Sequence, residues 1–193
     1  MDYWATVLPT YLEHWPAALE SLSVAHRAVP LTRAETIALG AMMDFGEAFV
    51  ERYGSDDLSL TDVRRRVSEA VAMFPRGAFV RLGSRSPKDS WKGHREGFRV
   101  LPGTDPLRFI LDASERMHED VMLALQHDYT PTIFVRQWVT IPRWSEFRCF
   151  MQGRKLVGIS LEDPSQRQQL TFGPGNDEGA AFSEDGQRLY FAS

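Results

Sequence analysis

Phe134–Ser160 reads FVRQWVTIPRWSEFRCFMQGRKLVGIS. Apolar and polar residues alternate along it, the period-two signature of strands. Ile133 to Ile141 (IFVRQWVTI) is expected as one strand. Ser145 to Met151 and Leu156 to Leu161 are expected as a hairpin around Gln152-Gly153-Arg154, a short loop with glycine. Strand order predicts that 133–141 and 145–161 adjoin in one antiparallel sheet, with Arg136, Trp138, Glu146 and Arg148 open to a common cleft. Alternation puts Phe134, Arg136 and Trp138 on one face. An arginine between two aromatics suits a structural cation–π stack, or a nucleotide cleft with aromatics against the base and Arg136 toward phosphate. In the hairpin, Phe147, Cys149 and Met151 share an apolar side, where Cys149 serves as a small buried hydrophobe. Glu146 and Arg148 share the other side, to hold one another or a ligand.

Upstream, Ala78-Phe79-Val80-Arg81-Leu82 reads as a strand, and a polar loop follows from Gly83 to Ser90. Its small residues let backbone amides approach an oxyanion, while Arg81, Arg85 and Lys88 supply positive charge. No Walker-type Gly-x-x-x-x-Gly-Lys and no Gly-x-Gly-x-x-Gly is present. LRFIL, Leu107 to Leu111, is expected as a further strand. Ser114 is expected to cap a helix to about Gln126 that buries Met117, Val121 and Leu125.

The chain before Phe74 reads as helical. Thr32-x-x-Glu35 forms a capping box. Ile37, Ala41, Phe45 and Phe49 then recur near helical spacing, and Gly54 is a stop. A second helix from Ser59 or Thr61 carries Val63, Val67, Ala70, Val71 and Phe74 on one side and Arg64, Arg65 and Arg66 toward solvent; Pro75 ends it. The tail from Phe172 to Asp185 is rich in Gly, Asp and Glu and reads as loop, followed by a strand-like Arg188-Leu189-Tyr190-Phe191. Helices first and antiparallel strands later indicate an α+β fold of two lobes. The expected divisions are a helical part (1–77), a strand-loop-helix region with the polar loop (78–132), and a second-lobe sheet with a loop-rich tail (133–193).

Composition sets the outer limits. The chain has 193 residues, 43% hydrophobic and 25% charged, which suits a globular protein of one or two small lobes. A net charge of −4 argues against nucleic-acid binding through bulk charge. One cysteine excludes an internal disulfide framework and fits a reducing, cytoplasmic compartment. The N-terminus, broken by prolines and acids, is not expected to be a signal peptide. No apolar run approaches the roughly 20 residues of a membrane span. The 22 basic residues are 19 Arg and 3 Lys. That bias suits a GC-rich genome or a set of oxyanion contacts, since the guanidinium is a planar fork of five donors. The five histidines show no metal-ligand spacing, and no Ser-His-Asp pattern stands out.

Two stretches resemble signatures of one family. FVRLGSRSPKDSW, Phe79 to Trp91, resembles the strand and loop of the cell division cycle protein 123 family. The stretch from Phe134 to Ser160 resembles its second, more specific signature: an Arg-x-Trp strand, a short link, Glu-Phe-Arg-Cys-Phe and a hairpin ending Gly-Ile-Ser. The order is right, and LRFILDASERMHEDV bridges them in the expected place. The resemblance implies an ATP-grasp architecture, in which two α+β lobes grip ATP and magnesium, and a role in assembling a translation initiation factor. It puts Arg81 where the family has a phosphate-binding lysine. Phe134, Val135, Arg136 and Trp138 fall in the strand that meets adenine, and Arg148 points at phosphate with Glu146 beside it.

Three departures qualify that expectation. Arg81 replaces a lysine, Asp112 stands where a second lysine is common, and nothing after Leu161 matches the closing strands whose Asp and Asp-x-Asn hold magnesium. Asp177, Glu178, Glu184 and Asp185 are the substitutes available, in a loop-like tail. An ATP-grasp-like nucleotide-binding protein is therefore expected, with weak ATP binding and slow or no turnover. The alternatives are a ligase or kinase acting by phosphoryl transfer, and a nucleotide-free module that binds a protein partner.

Overall fold

Alternation in two short segments builds the centre of the molecule. The computed structural model describes residues 3–43, 46–54, 58–113, 115–141, 147–152, 155–161, 180–182 and 189–191. Its helices are α1 (Tyr3–Val7), α2 (Ala17–Glu20), α3 (Arg33–Met42), α4 (Glu47–Tyr53), α5 (Thr61–Ala72), α6 (Trp91–Glu96), α7 (Arg108–Leu111) and α8 (Glu115–Gln126). Its strands are β1 (His26–Pro30), β2 (Ala78–Leu82), β3 (Thr132–Gln137), β4 (Phe147–Gln152), β5 (Lys155–Leu161), β6 (Ala180–Phe182) and β7 (Leu189–Phe191). The α+β class is as expected. Two compact units form, Met1–Val139 and Thr140–Ser193. The strand assigned from sequence to the second lobe, β3, thus belongs to the first unit.

In the first unit β3 is central, antiparallel to β1 on one edge and β2 on the other. Both hydrogen-bonding edges of β3 are occupied, so it has none for the hairpin β4–β5. The expectation that 133–141 and 145–161 adjoin in one sheet is therefore wrong: β4 and β5 form their own two-stranded sheet. There Phe147 pairs with Leu161 and Arg148 with Ser160, and the register shifts between Phe150 and Met151. The hairpin is found where alternation placed it; Ser145, Glu146, Gly153 and Arg154 lie outside the described residues. β6 and β7 pair with each other, and β6 falls in the segment read as loop. Phe45, Ser114, Arg188 and the tail carboxylates Asp177, Glu178, Glu184 and Asp185 also lie outside the described residues.

One face of the β1–β3–β2 sheet is dry. Val29, Val80, Leu82, Ile133 and Val135 join Val63, Val67 and Val71 of α5 and Phe109, Ile110, Met117 and Val121 of the later helices in one core. The valine stripe of α5 is what the 3.6-residue period required. Its opposite face is ionic: Arg65 bonds Asp62 and Glu69, Arg66 bonds Asp62, and Arg64 bonds Asp105. Arg65 faces solvent as expected, whereas Arg66 also turns inward, donating to the Pro30 carbonyl and to Glu35.

Three elements differ from the reading of the sequence. The capping box forms, with Thr32 Oγ1 accepting from the Glu35 amide at 3.2 Å and Glu35 Oε2 from the Thr32 amide at 2.8 Å. The helix it starts does not run on to Gly54, because Met43 is extended (φ −72°, ψ 160°) and α4 begins anew. The break lets α4 fold back on α3: a Cβ at Gly40 would lie 2.3 Å from the Phe49 ring. LRFIL is not a strand. Leu107, Phe109 and Ile110 are all buried, which a helical turn permits, and Asp105 Oδ1 accepts the Leu107 amide at 3.2 Å to start it. The strand from Ile133 stops at Gln137. Trp138 keeps one bond to the sheet, donating its amide to the Gly77 carbonyl at 3.1 Å, and the chain then leaves.

Among the described residues no helix is long and apolar enough to cross a membrane, and no group of three or more His, Cys, Asp or Glu is arranged to hold a metal.

Candidate functional site

Strand register gathers the candidate residues on the other face of the sheet. His26 and Phe79 flank Arg136, while Ala28 and Arg81 flank Phe134. Side chains two apart share a face, so Arg81, Phe134 and Arg136 lie together, opposite the core. Val135 points the other way and is fully buried. Trp138 lies beyond the strand. Lys88 is exposed on the loop. Arg148 is in β4 of the second unit, and Glu146 lies outside the described residues.

This face is not open. The N-terminal segment lies across it, tied by hydrogen bonds at Leu12, Glu13 and Ser23. The Leu12 amide donates to the Gly83 carbonyl at 3.2 Å. Glu13 Oε1 accepts from the Tyr129 hydroxyl at 2.7 Å and from the Thr132 amide at 3.4 Å. Arg136 Nη2 donates to Ser23 Oγ at 2.7 Å. The His26 ring rests on Phe134, centroids 5.4 Å apart. The crevice left between segment and sheet, lined by Leu12, Trp15, Ser23, Phe134 and Arg136 among others, has room for about one water molecule. Arg136 does not stack between aromatics: among the described residues the cation–π pairs are Arg52 with Tyr53 and Arg108 with Phe109.

The arginines here differ from those of α5. Arg81 donates from Nε to the Leu82 carbonyl at 2.8 Å and from Nη2 to the Gly83 carbonyl at 3.3 Å. Among the described residues, neither Arg81 nor Arg136 has a carboxylate within ion-pair distance. Burial pushes the Arg81 guanidinium down to about 10; the charges of Arg136 and Arg85 push the same way and Glu13 opposes them. Arg136 is lowered by burial too. Arg85 shows the contrast. Its fork holds both oxygens of Asp120 at 2.9 and 3.0 Å, and that bond raises it.

The protein-family model described as D123 matches residues 46–172, well over half of the chain. The chain belongs to the D123 family. The matched segment of this D123 chain runs from α4 through the hairpin β4–β5. The chain is similar to the translation initiation factor eIF2 assembly protein of Dictyostelium discoideum, 26% identical over 118 residues, which is 57% of this chain and 30% of that protein. Its fold is similar to that of Cdc123 from Schizosaccharomyces pombe, with a TM-score of 0.62 at 15% identity over 82% of this chain and 64% of that one. A C-terminally truncated form of the same protein gives 0.60 at 14%, over 82% and 65%. The D123 chain thus spans about a third of the curated relative and just under two thirds of the solved chains.

Three further residues of the D123 chain belong to the site and carried no signal in the sequence. Glu13 and Tyr129 meet across 116 positions. Burial, then the bond to Glu13 and its charge, drives Tyr129 well above the ordinary phenol range. Burial, with Asp120 and Glu13 nearby, pushes Tyr11 up to about 12. Both phenols therefore stay protonated, and Tyr129 can donate. Asp112, which stands where the family often has lysine, turns inward: Oδ2 accepts from Ser90 Oγ and the Lys92 amide, each at 2.7 Å. Those bonds lower its carboxyl although burial opposes them. Asp112 thus fixes the start of α6.

Proposed function

We propose that the chain is an ATP-grasp-like nucleotide-binding protein that acts in assembling a translation initiation factor. The observation that carries the nucleotide half is the pair of half-buried guanidiniums, Arg81 and Arg136, on one sheet face with no bonded carboxylate among the described residues. A buried charge is retained against its desolvation cost when something pairs with it, and a phosphate chain is the anion that two forked donors suit best. Gly83 beside them carries no side chain, and the space a Cβ would fill holds the Glu13 carboxylate. The donor set fits phosphoryl oxygens: two guanidiniums, the Tyr129 hydroxyl and the Thr132 amide. The sequence adds Lys88 of the polar loop as a further positive charge, and the family resemblance adds Arg148 and Glu146 as expected binding residues. Phe134 belongs to the strand expected to meet adenine; Val135 turns into the core with its backbone between β1 and β2, and Trp138 follows the strand. Magnesium, when bound, would neutralise charge on the phosphates. Asp177, Glu178, Glu184 and Asp185 are the available substitutes for the family's magnesium carboxylates, and no ligand set is assigned among them. The assembly half rests on the relative named for eIF2 assembly and implies a protein partner and a cytoplasmic setting.

One observation favours the alternative, a nucleotide-free module that binds a protein partner: the covered face admits a water and not a nucleotide. Calorimetric titration of ATP with and without Mg²⁺ separates the two readings. Arg81→Ala should weaken binding by about 1.5–3 kcal/mol, the range for a hydrogen bond to a charged group, while Arg64→Ala on α5 leaves it unchanged. Equal affinity in the parent and Arg81→Ala removes Arg81 from the site. Hydrolysis followed in the same samples should be slow or absent.

A further inference from the structure

We propose that the segment Leu12–Ser23 is a built-in competitor of the ligand, with the Glu13 carboxylate seated where a phosphoryl oxygen would bind. This rests on the nucleotide reading above and adds its regulation: the site is closed by the chain itself and opens when the segment is displaced.

The seat is specific in shape. A Cβ at Gly83 would lie 1.6 Å from Glu13 Oε2 and 2.8 Å from Oε1, so the glycine of the polar loop is what admits the carboxylate. The donors that hold Glu13 Oε1, the Tyr129 hydroxyl and the Thr132 amide, are neutral and would serve a phosphoryl oxygen equally. The charge of Glu13 acts on the Arg81 guanidinium, which has no ion-paired carboxylate among the described residues.

The seat is also incompletely filled. Glu13 Oε2 is buried and has no hydrogen-bond partner among the described residues. A buried acceptor left without a donor is a standing cost. A phosphate, with three oxygens and more charge, has acceptors for the Arg81 fork, now on the Leu82 and Gly83 carbonyls, and for Arg136, now on Ser23 Oγ.

The segment is built to leave. Tyr11 is buried and anchors one end, and β1 anchors the other. Between them lie one 3₁₀ turn, Leu12–His14, and the four-residue α2, neither of which buries a residue. Leu19 and Leu22 are exposed. A stretch with so few buried apolar contacts opens at low free-energy cost.

The test uses the full chain, ATP and inorganic triphosphate, with calorimetry for affinity and amide hydrogen exchange for the segment. Glu13→Gln keeps shape and an acceptor but removes the charge. Gly83→Ala expels the side chain sterically, and its exchange pattern without ligand reports whether residues 12–23 open on their own. ATP and triphosphate should both speed exchange of amides 12–23 in the parent. Glu13→Gln should bind both about tenfold more tightly, as expected if the closed form is about nine-tenths populated. Equal affinity for parent and Glu13→Gln, with amides 12–23 equally protected with and without ATP, overturns the competitor and leaves the nucleotide reading standing. Absence of ATP and triphosphate binding in parent and both variants, with amides 12–23 exposed in Gly83→Ala, overturns the nucleotide reading and the competitor with it.

Discussion

The two faces of the β1–β3–β2 sheet are made by the same strands and do opposite things. On one, Val80, Ile133 and Val135 are excluded from water and packed on helices. On the other, Arg81 and Arg136 are drawn partly out of water without a carboxylate to compensate them. A residue on the first face contributes stability, and a guanidinium on the second draws on it. Alternation lets five- and six-residue strands serve both purposes, because each step along the backbone changes faces. The lesson is that two faces of one short strand can carry opposite energetic signs.

The largest expected effect tests the dry face. Ile133→Ala should lower the free energy of unfolding by about 2–4 kcal/mol, the range for truncating a buried aliphatic side chain, read from urea denaturation. Arg136→Ala, three positions on and on the other face, should cost far less; equal losses would break the comparison. Next, Arg81→Met should move stability and binding in opposite directions. Removing a buried, unpaired charge should stabilise the chain by about 1–2 kcal/mol while ATP affinity falls. A loss of both would mean that Arg81 is a structural residue. Arg148→Ala should weaken ATP binding by about 1.5–3 kcal/mol and leave the urea midpoint of the first unit in place.

Two pH limbs sharpen the contrast further. Tyr129 is held neutral, above the ordinary phenol value of 10.0. Its contribution is therefore complete below that pH and is lost as pH rises beyond it, because the unfolded chain ionises first. Tyr129→Phe should flatten the alkaline limb of a thermal-stability profile and release residues 12–23 to exchange. Glu35 shifts the other way. The Thr32 amide and Arg66 hold its carboxyl below 4.5 although burial opposes them. Its contribution is present above that pH and lost as pH falls through the lowered value, so Glu35→Gln should flatten the acid limb. The smallest effect belongs to Arg65, in solvent between Asp62 and Glu69: Arg65→Ala should leave the urea midpoint unchanged.

The sequence was legible where a period was long enough to count. The valines of α5 at 3.6-residue spacing and the alternation of β2 and β3 each announced an element and its buried side, and alternation also announced the hairpin strands. The same alternation put Phe134 and Arg136 on one face, and the family signatures singled out Arg81. β1 was missed because HRAVP buries Val29 as its one deeply buried apolar side chain and ends in proline. LRFIL was misread because five apolar-rich residues fit a strand or a helical turn equally; Asp105-Pro106 was the clue to the turn. The pairing error came from counting neighbours along the chain, when both edges of β3 were already taken by strands far from it in sequence. The cover over the site had no local signal at all. Glu13 finds Tyr129 and Thr132 only through the tertiary fold, and Gly83 shows its purpose only with the carboxylate against it.

The placement of β3 between β1 and β2 also sets an order of events during synthesis. Glu13 is made 116 residues before Tyr129 and 119 before Thr132, and His26 waits for Arg136. Closing so long a loop is costly in chain entropy before any contact rewards it. On a growing chain β1 and β2 therefore emerge with no strand between them, and their unpaired edges persist until the last turn of α8 has passed. A chaperone that holds nascent chains has its longest opportunity here, and slowed translation between Ala78 and Thr132 would lengthen it.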